Sequence, residues 1–106
     1  MTVPVRRRAQ ANQELLEHVD RISDDNPAAA LRFIDAFEKA LAELSEHPEI
    51  GSPYEPDDPR LSGIRKWVLP AFPNYLLFYR FEKGAVHLLH ILRAERDQKR
   101  ILTEED

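Results

Sequence analysis

The residues best suited to chemistry gather in one stretch, VHLLHILRAERD, from Val86 to Asp97. Two histidines, His87 and His90, sit inside an apolar run that then breaks into Arg93, Glu95, Arg96 and Asp97. Histidine moves protons near neutral pH and ligates metals. The closing charges mark either the end of a strand or a docking surface. Metal chemistry fits the pattern poorly: His18, His47, His87 and His90 show no HxxxH spacing, and without cysteine there is neither a thiolate ligand nor a disulfide framework. No metal and no cofactor is expected.

The elements that hold these residues follow from periodicity. Val3 to Arg7 alternates loosely and predicts a short edge strand, shortened by Pro4. Leu15, Leu16, Val19 and Ile22 then share one face of a helix running from about Ala9 to Ser23-Asp24-Asp25. Asn26-Pro27 reads as N-cap and first position of a second helix, in which Ala30, Leu31, Ile34, Phe37, Leu41 and Leu44 form an apolar stripe ending near His47, with Phe33 and Ala40 beside it. Two helices with so short a link form an antiparallel hairpin. PEIGSPYEPDDPRLSG, residues 48–63, reads as a loop without secondary structure. Three strands follow, Ile64–Leu69, Asn74–Glu82 and Ala85–Arg93, the last two joined by a tight turn at Lys83-Gly84. The order β-α-α-β-β-β predicts one α+β domain over residues 1–106, with a helical hairpin on one face of a small, mostly antiparallel sheet.

Composition agrees with a single soluble domain: 106 residues, 42% hydrophobic and 32% charged. MTVPVRRRAQ lacks the apolar stretch of a secretory signal, and no run approaches the ~20 apolar residues of a membrane span, so a cytoplasmic location without membrane contact is expected. A net charge of −4 argues against direct nucleic-acid binding. That sum hides an asymmetry, because residues 60–93 hold six basic residues against the single acid Glu82.

A two-residue turn sets Phe81 opposite Val86, Tyr79 opposite Leu88, Leu77 opposite His90 and Tyr75 opposite Leu92. Those residues form a nearly continuous apolar face for the helices, with His90 as a hydrogen-bonded core histidine. The other face has Leu76, Phe78, Leu89 and Ile91 at its centre, framed by Arg80, His87 and Arg93. Left uncovered, such a patch marks a partner site.

Taken in order, "NPAAALRFIDAF", "HPEIGSP", "GIRKWVLPAFPNYLLFYRF" and "LLHILRAERD" resemble the ParE/RelE superfamily of type II toxin–antitoxin toxins, closest to the ParE branch, over almost the whole chain. The resemblance implies the fold derived above and a growth-inhibiting toxin held silent, in a hetero-oligomer, by a cognate acidic antitoxin that folds on contact. Leu76, Phe78, Arg80, Leu89, Ile91 and Arg93 would be its antitoxin contacts. The ParE branch implies inhibition of DNA gyrase by binding, with Arg93, Arg96, Asp97 and the tail as target contacts. The RelE branch implies ribosome-dependent mRNA cleavage, which needs a base, an acid and cations around the phosphorane. Arg65, Lys66, Arg80 and Arg93 would be the cations there, and Tyr79 or His90 the proton carriers. The acidic net charge and a C-terminus without tyrosine or histidine favour binding over catalysis. A module that keeps antitoxin binding without toxicity is the third reading.

Overall fold

The computed structural model describes residues 1–104. Its elements are β1 (Val5–Arg7), α1 (Ala9–Asp25), α2 (Pro27–Glu46), β2 (Ser52–Pro53), a 3-10 turn (Pro59–Leu61), β3 (Ile64–Val68), β4 (Tyr75–Glu82), β5 (Ala85–Arg93) and α3 (Gln98–Glu104). The strands lie in the order β1-β5-β4-β3-β2, with β1 parallel to β5 and every other pair antiparallel. The helical hairpin packs on one face, the α+β arrangement expected. No helix among the described residues is long and apolar enough to cross a membrane.

Local grammar accounts for the boundaries. The Asn26 side chain accepts the Ala29 N–H at 3.1 Å and Pro27 opens α2. Lys83 and Gly84 both take positive φ, 54° and 73°, as a two-residue hairpin turn with right-handed twist demands. The helix-facing core joins Phe33, Phe37, Ala40 and Leu44 of α2 to Leu77, Tyr79, Val86, Leu88 and Ile91 of the sheet. Three residues of the expected stripes lie outside it: Leu16, Leu31 and Ile34 are exposed. In α2 the buried line runs Ala30, Phe33, Phe37, Ala40, Leu44, so the large aromatic residues set the face and Leu31 is turned away.

The hairpin departs from the expected register at one point. Tyr79 pairs with Leu88, but Phe78 pairs with His90, so the strands slip at a β-bulge between Phe78 and Tyr79. Beyond the bulge every β5 side chain changes face. Ile91, expected on the outer face, is fully buried in the helix-facing core, and Leu92, expected under the helices, takes its place outside.

The outer face is not vacant. Leu76, Phe78, Leu89 and Leu92 form a second core with Ile64, Leu61 of the 3-10 turn and Leu102 of α3, flanked by Tyr54 and Ile101. The Tyr54 ring stands edge-on to Phe78 at 5.2 Å. This corrects two expectations together, an open apolar patch and a loop without structure. Residues 48–63 contribute β2, which pairs with Arg65 and Lys66, and the 3-10 turn, capped by Asp58 accepting the Arg60 N–H at 3.0 Å. The hydrogen bonds from Arg60 hold the Asp58 carboxyl well below the usual carboxylate range.

Candidate functional site

The chemically capable residues fall into four groups. The first centres on Gly51. The Tyr79 hydroxyl, buried at the sheet centre, accepts the Gly51 N–H at 2.9 Å, and the Arg65 guanidinium donates to the carbonyls of Gly51 at 2.6 Å and Glu49 at 3.1 Å. A Cβ on Gly51 would lie 2.7 Å from the Tyr79 Oη and 2.9 Å from the Lys66 carbonyl, so no other residue fits without movement. Burial raises the Tyr79 pKa. Both side chains are committed to holding the turn after α2. Lys66 extends its ammonium over the Tyr54 ring at 5.8 Å.

The second group joins α1 to the free edge of β5. Because β1 covers only Val86–Leu88, the backbone of Ile91 lacks a strand partner on that side. Two α1 side chains one turn apart supply it: Glu14 Oε1 accepts the Ile91 N–H at 2.8 Å, and His18 Nε2–H donates to the Ile91 carbonyl at 2.7 Å. Glu14 Oε2 also accepts from His90 Nδ1 at 2.8 Å and from Gln10 at 3.2 Å. His18 Nδ1 accepts from Arg21 at 3.0 Å, which requires a neutral ring; burial lowers the His18 pKa accordingly. His90 is therefore buried and hydrogen-bonded as expected, 1% exposed, but the bulge sets it opposite Phe78 instead of Leu77, and it reaches its partner Glu14 at the strand edge. The signal existed as Glu14 and His18 at i,i+4, on the same face as Ala11.

The third group is the end of β5. Arg93 is half-buried and ion-paired with Glu95, while Arg96 is exposed. Asp97 precedes α3, accepting the Ile101 N–H on its carbonyl at 3.2 Å and approaching Arg100 with its carboxylate. Glu105 and Asp106 of the expected target-contact tail lie outside the described residues.

The fourth group crosses the outer face near the hairpin turn, where Arg6, His87 and Arg80 stand in register on β1, β5 and β4. Arg80 donates to the Ser62 carbonyl. Lys66, Arg80 and Arg93 therefore do not converge with Tyr79 or His90, and Arg65 meets Tyr79 only around Gly51. The expected antitoxin contacts Leu76, Phe78 and Leu89 lie beneath α3 and the loop, and Ile91 lies on the opposite side of the sheet. Apart from these groups, a groove of about 720 Å³ between α2 and the β3–β4 connection is left open, floored by Ala36, Ala40, Trp67 and Phe72. Among the described residues no cluster of metal-ligating side chains forms.

A helical hairpin over a mixed five-stranded sheet, with polar clusters that brace the fold, defines a small α+β protein. The family model of the ParE toxin of type II toxin–antitoxin system, parDE, matches residues 5–98, and the chain belongs to that family. Among solved structures it is similar to the chromosomal ParDE TA system from P. aeruginosa, with a TM-score of 0.73 and 20% identity over 89% of this chain and 98% of that one. That likeness supports the fold. No curated protein matches the sequence significantly.

Proposed function

We propose that this ParE-family toxin acts by binding its target, that the target is DNA gyrase, and that a ParD-type antitoxin silences it. The observation that carries the proposal is the commitment of the two proton carriers expected for an RNase. The Tyr79 hydroxyl and the His90 imidazole are both buried in structural hydrogen bonds, with Arg80 and Arg93 elsewhere on the sheet, so the base, acid and cations expected for an RNase do not assemble around them. The exposed ledge of Arg93, Arg96 and Asp97 at the end of β5 is the proposed target contact.

The antitoxin has two routes to apolar burial. It can lay an apolar helix face into the open groove over Trp67 and Phe72. Alternatively it can engage Arg80 with acidic residues and replace α3 over Leu76, Phe78 and Leu89, while Arg93, which pairs with Tyr75 beyond the bulge, faces the helix side. Ala36→Asp weakens antitoxin binding on the first route only, and Leu102→Asp changes it on the second only. Expression in cells tests the whole: growth arrests with a DNA-damage response, antitoxin co-expression relieves it, and Arg93→Ala lowers toxicity in a folded chain. Rapid loss of translation with ribosome-dependent mRNA cuts would overturn the gyrase reading.

A further inference from the structure

The row Arg6–His87–Arg80 is unusual for an outer sheet face in a protein of net charge −4. Its three side chains sit on neighbouring strands in direct register. At 4.7–4.9 Å between strands, they span about 10 Å. They line a hollow of about 250 Å³ with Arg8 at one end and Glu82 at the other. Arg6 is exposed and has no hydrogen bond or ion pair among the described residues. Arg80 spends one guanidinium nitrogen on the Ser62 carbonyl, which fixes the group without neutralising it. His87 Nε2 is shielded from solvent and has no hydrogen bond among the described residues. Arg7, the remaining arginine of β1, also borders the hollow, but its guanidinium is committed to a two-point bond with Glu38 of α2.

The floor of the hollow offers little to an apolar ligand. Leu88 and Leu89, its only apolar members, are 0% and 6% exposed. An acidic peptide gains stable binding from apolar anchors beside its charges, and none is presented here. A planar guanidinium on each side of an imidazole suits tetrahedral oxyanions, which accept several charge-assisted hydrogen bonds at once. We propose that this hollow is a phosphate-binding site that takes the backbone of a nucleic acid, with Arg6 and Arg80 as the cations that hold it and the His87 ring packed between them. The site is separate from the β5 ledge and the α2 groove and shares only Arg80 with the second antitoxin route, so it does not depend on gyrase inhibition.

Fluorescence anisotropy with a labelled 20-nucleotide single strand and the matching duplex, at 50 mM and 200 mM salt, tests it. Two neutralised phosphates, one for each arginine, predict a slope of about −1.8 in log affinity against log salt on duplex, or about a 12-fold loss across that range. Arg6→Ala weakens binding about tenfold, and His87→Gln less. Arg32→Ala, a charge removed from exposed α2, changes it less than twofold. Arg6 has no structural partner, so this variant keeps the test valid even if Arg80→Ala fails to fold; thermal melting checks each variant. Inorganic phosphate displacing the oligonucleotide at low millimolar concentration supports the phosphate chemistry. Equal affinity of Arg6→Ala and wild type for DNA, absence of binding at 50 mM salt, or a polyglutamate peptide binding more tightly than DNA would each overturn the proposal.

Discussion

The two faces of the sheet are buried by very different amounts of chain. Helices of 17 and 20 residues cover one, with Phe33, Phe72, Tyr75 and His18 in edge-on ring contacts and a strand edge satisfied by Glu14 and His18. The other is covered by a two-residue strand, a 3-10 turn and a seven-residue helix. A helix that short does not persist alone in water. It is held by Ile101 and Leu102 against the second core and by Lys99 reaching Asp58 at 3.5 Å and Glu55 at 3.8 Å. These pairs at the surface contribute little to stability. The contrast teaches that one face carries the fold and the other carries a cover that opens at much lower cost.

That contrast is broken most severely from the helix side. Phe33→Ala removes a fully buried ring from the α2 side of the core and is expected to cost about 3–5 kcal/mol in urea unfolding. Glu14→Ala leaves the Ile91 N–H and His90 Nδ1 buried without partners, and a loss of about 3 kcal/mol is expected in the same measurement. Leu102→Ala on the thin side costs about 2 kcal/mol, and hydrogen exchange should show faster opening near Leu89 and Leu92 with little change at Phe37. Equal global losses for Phe33→Ala and Leu102→Ala would show that the two faces unfold as one.

Acid sharpens the comparison further. The folded pKa of His18 is depressed by burial, so the unfolded chain binds the extra proton first. Stability contributed by neutral His18 is full above the unfolded value of about 6.5 and is lost as pH falls below it toward the folded value. Thermal melting from pH 8 to 5 should show this decline, reduced in His18→Gln. The smallest effect belongs to Ala71, whose φ of 72° in the β3–β4 connection suits glycine. Ala71→Gly should stabilise by about 0.5 kcal/mol in urea titration.

Much of this was legible in the sequence. Asn26-Pro27 and Lys83-Gly84 are local signals that need no tertiary information, and they placed the helical hairpin and the β-hairpin. The bulge was not legible, because the two-residue turn fixes register only until one strand gains a residue; that single slip moved Ile91 and Leu92 to opposite faces. Nor was the cover of the outer face. Leu102 is a lone buried position in a tail dominated by charge, and Leu61 sits among prolines, so neither makes a periodic pattern. The polar residues that brace the core, Glu14 and Gly51, are visible only once their distant partners Ile91 and Tyr79 are in place.

The central claim is that the toxin works by occupying gyrase. Purified gyrase supercoiling a relaxed plasmid, with increasing amounts of this protein, tests it most directly. The account predicts inhibition with accumulation of cleaved DNA, weakened by Arg93→Ala and reversed by the antitoxin. Full supercoiling activity at a large molar excess of folded protein would contradict it.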